Sequence, residues 1–344
     1  FHLGFRKVRK WHVSKSPPCY EVERGEVMKK TWYLIIGVVL LVIGCIAYGY
    51  HEHHKPKTAQ ELKTVRVAYL PITHALPVFA TKELETADGP VHVELVKYGS
   101  WPELMDALNT GKVDAASVLV ELGVKAREQG IDVRAAALGH TEGNIIIVNK
   151  DINSVQDLKG KSFAIPHKQS TQKILVDCML EQAGLSEKDV QIVEMSPPEM
   201  PSALSVGQIA GYSVAEPFGS LALEMGTGKV FEDPDHLWHD NICCALVFNG
   251  QFVDEHHDLA KAFTKAYLDA GTYLDEHPKA QEEISSKYMK FNDSVIERSL
   301  KVIGFKDLAL TEDRYNALVH HMTHIDLIKK VPSYSEFVDT SLLP

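Results

Sequence analysis

One junction near the middle of the chain carries residue types that bind small ligands. It runs from His167 to Thr171 and follows a predicted strand at residues 162–165. From Ser170 the pattern becomes helical, and Ser170 or Thr171 would cap the helix. The first N–H groups of a helix lack intrahelical partners and carry partial positive charge, so the junction suits a small anion or polar group. An ordinary capped turn has the same geometry.

Further candidates follow predicted strands in the N-terminal half. Alternating strand and helix patterns between residues 65 and 138 predict repeated βα units and a mostly parallel sheet. Ligands of such sheets bind beyond the carboxyl ends of the strands. The polar residues and the indole predicted at those ends are Thr73, His74, Ser100, Trp101, Ser117 and His140. Trp101 is equally well explained as a core anchor, because tryptophan is largely buried on average.

Four stretches in family order carry a resemblance to known proteins. They are YLPITHALPVF, KYGSWPELMDALNTGKVDAA, SVQDLKGKSFAIP and GYSVAEPF. Together they resemble the substrate-binding proteins of ABC importers of the nitrate, sulfonate and taurine group, which includes bicarbonate and thiamine-precursor binders. The resemblance implies an α/β, two-lobed periplasmic-binding-protein-like (type II) fold. It also implies a protein without catalytic residues that delivers a small ligand to a permease and its ATPase.

The same resemblance implies a division of the chain. Residues 64–148 would form the first part of lobe 1, and residues 149–241 would form lobe 2. Residues 242–344 would return to complete lobe 1 with a strand and a C-terminal helical region packed on it. The apolar runs at 145–148 and 242–248 are the two predicted hinge strands, and such a joint allows closure around a ligand.

The resemblance also assigns roles to particular residues. Trp101 would face the ligand, and Glu216 would lie opposite the helix capped by Ser170. From its residue type alone, Glu216 can equally be a carboxylate that accepts N–H bonds at a helix start. The resemblance implies a small polar ligand: a sulfonate, taurine, a nitrate- or bicarbonate-like anion, or a thiamine precursor. None of the candidate loops carries an arginine, which makes a sulfonate the less expected member of this set. The predicted ligand-binding set is Thr73, His74, Ser100, Trp101, Ser117, His140, His167, Ser170, Thr171 and Glu216.

The N-terminal region resembles a bacterial lipoprotein leader. Met28 is followed by two lysines and an uncharged run that ends in VIGC at Cys45. Residues 28–44 are therefore predicted to be a signal peptide, Cys45 the lipidated residue, and residues 45–63 a tether on the outer face of the cell membrane. Residues 1–27 are interpreted as an upstream, non-structural segment. An uncleaved transmembrane helix is the alternative, since the run is about long enough to span a bilayer.

Charge and cysteine content exclude some functions. The net charge is −10 and the segment before Cys45 is basic, so the remainder is strongly acidic and nucleic acid is not an expected partner. Cys178 falls on the apolar face of a helix. Cys243 and Cys244 are neighbours on a predicted strand and are expected to point to opposite faces. No metal site and no cofactor are predicted.

Two alternatives from other classes stay open. One is an enzyme of the same fold acting on a pyrimidine-type ligand, although no catalytic triad, paired carboxylates or metal spacing appears in the candidate loops. The other is a ligand-sensing ectodomain that is not coupled to transport.

Overall fold

The computed structural model describes residues 32–45, 48 and 63–344. Residues 32–45 form helix α1. The chain divides into two compact units, residues 1–58 and 59–344. In the described ranges, no helix combines the length and apolar character that crossing a membrane requires. The predicted upstream segment and most of the predicted tether lie outside the described residues.

Lobe 1 is built on a five-stranded sheet in the order β2-β1-β3-β11-β4. Four of its strands come from the N-terminal half, where buried β-branched and alanine runs alternate with helices. Strands β1, β2 and β3 are parallel, and β11 is antiparallel to both β3 and β4. The strands are β1 (Thr64–Tyr69), β2 (His92–Lys97), β3 (Ala115–Leu119), β4 (Val133–Leu138) and β11 (Cys244–Asn249).

Helices connect these strands and cover the sheet. A 3-10 turn, Thr73–Ala75, precedes the first of them. The helices are α2 (Leu76–Glu83), α3 (Trp101–Asn109) and α4 (Val120–Glu128). Their inward faces are apolar and buried, as Leu104, Met105 and Leu108 are on α3.

Lobe 2 has its own five-stranded sheet, in the order β10-β6-β9-β7-β8. Strands β7, β8 and β9 are parallel, and β6 is antiparallel to its neighbours β9 and β10. The strands are β6 (Asn144–Asn149), β7 (Ser162–Ile165), β8 (Gln191–Glu194), β9 (Gly211–Ala215) and β10 (Gly228–Glu232). The helices are α5 (Thr171–Gln182), α6 (Met200–Ser205), α7 (Phe218–Glu224) and α8 (Pro234–Leu237).

The C-terminal helices complete lobe 1, but one of them also reaches lobe 2. The elements are α9 (Gly250–Glu255), α10 (His257–Glu276), α11 (Pro278–Met289), α12 (Asp293–Leu300), α13 (Glu312–His324) and α14 (Tyr334–Phe337). Buried Phe263 and Tyr267 of α10 belong to the main core. Helix α12 packs against α7 of lobe 2, where Arg298 pairs with Glu224. This contact with lobe 2 is additional to the predicted packing of the region on lobe 1.

Two crossings of the chain join the lobes. The first runs from β4 through the two-residue strand β5 (Thr141–Glu142) into β6, and the second returns from α8 into β11. Strand β5 pairs with β12 (Ile303–Gly304) beside the first crossing. The α/β two-lobed fold with two mixed sheets confirms the predicted fold class. The crossings place the ends of β4 and β11 next to each other at the cleft between the lobes.

Candidate functional site

Four buried side chains meet where the second crossing enters lobe 1. His74, His140, Cys243 and Cys244 each offer one ligand atom, and these atoms all lie within 4.8 Å of one another. Among the described residues, these four form the cluster of histidine, cysteine or acidic side chains that could hold a metal ion. His74 comes from the 3-10 turn after β1, His140 follows β4, and Cys244 opens β11. All four therefore belong to lobe 1 or its hinge.

The His74 ring is held in one tautomer. Its Nε2 lies 3.0 Å from the carbonyl oxygen of Gly143, which can only accept a hydrogen bond. Nε2 therefore carries a proton, and Nδ1 is the ring nitrogen that faces the two cysteines. That Nδ1 lies 3.5 Å from the Sγ of Cys243 and 3.5 Å from the Sγ of Cys244. A carbonyl that fixes the outer nitrogen of a histidine is the usual arrangement behind a metal ligand.

His140 lies against the His74 ring, with ring centroids 3.6 Å apart. Its Nδ1 is buried and has no hydrogen-bond partner. Burial and the neighbouring His74 lower the pKa of His140 to about 4, so the ring is neutral at physiological pH. Gly139 lets the chain pass this close, because a Cβ there would lie 2.9 Å from the carbonyl oxygen of His74. A neutral buried imidazole can offer a lone pair to a metal ion.

The two thiols differ in acidity. Burial opposes ionisation of Cys243, but hydrogen bonding with Cys244 and the interactions with the neighbouring His74 and His140 lower its pKa well below the ordinary value. Burial and the neighbouring Cys243 raise the pKa of Cys244. Cys243 is therefore the more acidic of the two thiols. The Sγ atoms lie 3.9 Å apart and form no disulfide.

The prediction that Cys243 and Cys244 point to opposite faces is wrong. Alternation holds only within a regular strand, and β11 begins at Cys244. Cys243 is the last residue of the crossing, so its side chain turns to the same side. Both sulfurs consequently contact the same nitrogen of His74.

Lobe 2 closes over this group through a few polar contacts. The Thr73 N–H and Oγ1 donate to the backbone oxygen of Glu216 at 3.0 and 2.9 Å. Thr171 Oγ1 donates to the Ile242 oxygen at 2.7 Å and also contacts the Glu121 carboxyl group. Gln172 Nε2 lies 3.4 Å from the Cys243 sulfur. Thr73 and Thr171, both predicted ligand-binding residues, thus bond to protein groups across the cleft.

Glu216 lies at the cleft, and its carboxylate is bound by Ser220 in α7. Its Oε2 accepts from the Ser220 N–H at 2.8 Å and its Oε1 accepts from the Ser220 hydroxyl at 2.9 Å. Burial raises the pKa of Glu216. The helix-start interpretation of this residue describes the contacts in the structure.

Glu121 is a second buried carboxyl group near the site. It is fully buried, and its Oε2 has no hydrogen-bond partner. Burial, followed by the charge of Cys243, raises its pKa well above the ordinary value. The surroundings of the two cysteines therefore favour added positive charge and disfavour an anion.

The remaining predicted residues lie away from the four-residue group. Ser170 caps α5, as predicted, by accepting from Lys173 N at 3.1 Å. Ser100 precedes α3 without a side-chain cap, and Ser117 is buried within β3. Trp101 is buried, and with His167 it lines a separate cavity of about 160 Å³. The structure therefore brings His74 and His140 together, and adds Cys243, Cys244 and Gln172, which the sequence analysis did not select.

Two α/β lobes joined by two chain crossings, with a buried polar site beside the crossings, are typical of periplasmic-binding-protein-like (type II) proteins. The NMT1-like family matches residues 58–288 of this chain. The chain therefore belongs to the NMT1-like family, in the group of ABC substrate-binding proteins for nitrate, sulfonate and taurine.

Three relatives illustrate this membership. The ligand-binding component of an ABC-type import system from Staphylococcus aureus, solved with zinc bound, is 35% identical with a TM-score of 0.78, covering 81% of this chain and 97% of that one. The putative aliphatic sulfonates-binding protein of Bacillus subtilis is 29% identical over 285 residues, 80% of this chain and 82% of that protein. The periplasmic nitrate-binding protein NrtA of Synechocystis PCC 6803 shares the fold, with 18% identity, a TM-score of 0.70, and coverage of 83% and 88%.

The chain also matches part of a longer protein. It is 25% identical over 239 residues to the nitrate import ATP-binding protein NrtC of Synechocystis. The match covers 63% of this chain but only 36% of the length of NrtC. The Staphylococcus aureus, Bacillus subtilis and NrtA relatives are described as ligand-binding proteins, not as enzymes.

Proposed function

We propose that this protein is the solute-binding component of an ABC import system and that its cargo is a zinc ion held by His74, His140, Cys243 and Cys244. The separations between the ligand atoms carry the proposal. Zinc binds thiolate sulfur at about 2.3 Å and imidazole nitrogen at about 2.0 Å, so a tetrahedral site places nitrogen and sulfur about 3.6 Å apart and two sulfurs about 3.8 Å apart. Here the distances are 3.5, 3.5 and 3.9 Å.

Ligand type narrows the choice of ion. Two sulfurs and two imidazoles disfavour calcium and magnesium, which take oxygen ligands. Thiolate and imidazole select zinc or monovalent copper among the common soft ions. Two thiolates neutralise a divalent ion but leave a monovalent ion with a net negative charge, which is costly in a buried site beside Glu121. The charge balance therefore favours zinc, and the zinc-bound Staphylococcus aureus relative supports the same ion.

The test is calorimetric titration of the purified full chain after removal of metal with a chelator. We expect one zinc ion per chain, and at least about 100-fold weaker binding in Cys243→Ser and in Cys244→Ser. Cys178→Ser is the matched control, because this half-buried thiol lies outside the four-residue group and should leave zinc affinity unchanged. Wild-type protein that takes up no zinc, or takes up copper(I) in preference, would contradict the proposal.

A small oxyanion is the second candidate cargo. The Bacillus subtilis relative is a putative aliphatic sulfonates-binding protein, and Ser170 caps a helix start at the cleft as an anion site would require. Calorimetry with taurine, an alkanesulfonate and nitrate separates the two candidates. Trp101→Phe should weaken binding of an anion or heteroaromatic and leave zinc binding unchanged, because Trp101 lies outside the metal-ligand group.

Transport is tested separately from binding. The proposal places both lobes on the outer face of the membrane, tethered through lipidated Cys45, with a permease and an ATPase as partners. In reconstituted vesicles, the zinc-loaded protein should stimulate ATP hydrolysis by the permease complex more than the metal-free protein does. Equal rates would favour a sensing ectodomain, and mass spectrometry of the mature N-terminus would show whether Cys45 is lipidated.

A further inference from the structure

A series of hydrogen-bonded side-chain amides begins beside His74, His140, Cys243 and Cys244, called the metal group below. It runs along both crossings. Gln172 Nε2 donates to Asn144 Oδ1 at 2.6 Å, and Asn144 Nδ2 donates to Asn241 Oδ1 at 3.1 Å. Asn241 Nδ2 then donates to the backbone oxygen of Trp238 at 3.2 Å. The three amide side chains are buried, and Asn144 opens β6 whereas Asn241 lies on the returning crossing.

These hydrogen bonds fix which end of the Gln172 amide faces the metal group. A backbone oxygen can only accept, so Asn241 must donate to Trp238 and accept from Asn144. Asn144 must then use its oxygen to accept from Gln172. The Gln172 –NH₂ group therefore faces Asn144, and its second hydrogen is directed to the Cys243 sulfur 3.4 Å away. The amide cannot be rotated to present its oxygen to the sulfur without breaking these hydrogen bonds.

Gln172 keeps this position at a cost in stability. The side chain is 1% exposed, and its Oε1 is buried with no hydrogen-bond partner. A buried amide with an unpaired oxygen is less favourable than an apolar side chain of the same size. Methionine has a similar size, so what the amide adds beyond packing is its two N–H donors.

We infer that Gln172 couples closure of the lobes to metal capture, by placing an N–H on the metal-bound sulfur of Cys243 only when lobe 2 is closed. Gln172 is the second residue of α5 in lobe 2, whereas Cys243 and the other ligands belong to lobe 1. A bound zinc ion would fix the Cys243 sulfur at the position where this N–H reaches it. The closed state is therefore stabilised more when zinc is bound. This inference rests on the proposed zinc cargo, with Gln172 as a positioning residue.

The first experiment compares Gln172→Met with Gln182→Met. Both substitutions lie on α5, and Gln182 is exposed at the end of the helix. We expect Gln172→Met to bind zinc about 10-fold or more weakly in competition with a chelator. In the cobalt(II)-substituted protein, its thiolate charge-transfer band should move to longer wavelength, because the sulfur has lost a donor. Gln182→Met should match wild type in both measurements.

The second experiment uses wild-type protein, so it does not depend on the folding of a variant. With ¹¹³Cd in place of zinc, the Gln172 Nε2 protons should show scalar coupling to the metal through the hydrogen bond to sulfur. Absence of that coupling, or wild-type affinity and an unmoved band in Gln172→Met, would overturn the inference. Wild-type protein that binds neither zinc nor cobalt would instead contradict the proposed function.

Discussion

At the residue scale, the proposed zinc site depends on the protonation of its four side chains. Gly143 binds the protonated Nε2 of His74, so Nδ1 faces the sulfurs, and burial keeps His140 neutral with a pKa of about 4. The pKa of Cys243 is lowered and the pKa of Cys244 is raised, so Cys244 gives up its proton less readily. A bound ion requires both sulfurs as thiolates. Zinc capture would therefore expel the proton of Cys244.

The first prediction concerns this proton. Zinc binding near pH 7 should release about one proton per ion, and the apparent affinity should rise with pH, because the raised pKa of Cys244 keeps its thiol protonated in the metal-free protein. The measurement is calorimetry in two buffers of different ionisation enthalpy. In Cys244→Ser the released proton should be absent. Release of no proton by the wild type would show that both thiols are already ionised.

Sequence reasoning selected two of the four residues, as ligand-binding residues and without predicting a metal site. His74 and His140 follow predicted strands, and the rule for carboxyl ends of parallel strands is local enough to select them. The cysteines were passed over because the assumed strand began at residue 242 instead of 244. The contact itself is not a local property, since Cys243 lies 169 residues from His74 in the chain.

At the element scale, a carboxylate fastens the C-terminal segment to α4. Glu128 Oε1 accepts from the backbone N–H groups of Lys329 and Lys330 at 2.7 and 2.8 Å. Lys125 also bonds to this carboxylate, and that bond, with the backbone donors, lowers the pKa of Glu128 to about 2. A carboxyl group with a lowered pKa stabilises the fold above its unfolded pKa and loses that contribution as the pH falls through its folded pKa.

The second prediction tests that contact. Glu128→Gln should lower the free energy of unfolding by about 1 kcal/mol at pH 7, after allowance for screening at this partly exposed position. The difference from wild type should shrink as the pH falls from about 4.5 towards 2. Urea unfolding across this range measures it. A difference that stays constant with pH would assign the effect to packing rather than charge.

The sequence predicts the strands and helices better than the contacts between elements that are distant in the chain. Apolar periodicity and the βα alternation indicate the strands and helices of both lobes, because these patterns arise within a few residues. The attachment of α12 to lobe 2 was not predicted, since it depends on side chains from α7 that are distant in the chain.

At the scale of the whole molecule, the lobes are closed on each other through Thr73. Its two donors meet one backbone oxygen of Glu216, so the hydroxyl adds a bond across the cleft that the backbone alone does not supply. Closure and metal binding should therefore weaken together when that hydroxyl is removed. The two-lobed form was predicted from the resemblance to the binding proteins of ABC importers. The runs predicted as hinge strands lie mostly inside the two sheets, residues 145–148 in β6 and residues 244–248 in β11.

The third prediction compares two threonines. Thr73→Val should raise the zinc dissociation constant about fivefold, as expected for loss of one buried hydrogen bond worth about 1 kcal/mol. Thr81→Val is the control, because the Thr81 hydroxyl bonds to Pro77 within α2 and lies on one side of the cleft. Small-angle X-ray scattering should show zinc-induced compaction that is smaller in Thr73→Val. Unchanged affinity and compaction in that variant would separate closure from binding.

The placement of all four ligands on one side of the cleft has a kinetic consequence. Lobe 1 and its hinge hold His74, His140, Cys243 and Cys244, so an incoming ion meets a complete coordination set before lobe 2 moves. The rate of arrival is then set by diffusion to an open surface, and the residence time is set by how long the lobes stay shut. A membrane partner that holds the lobes apart would shorten the residence time without displacing a single ligand.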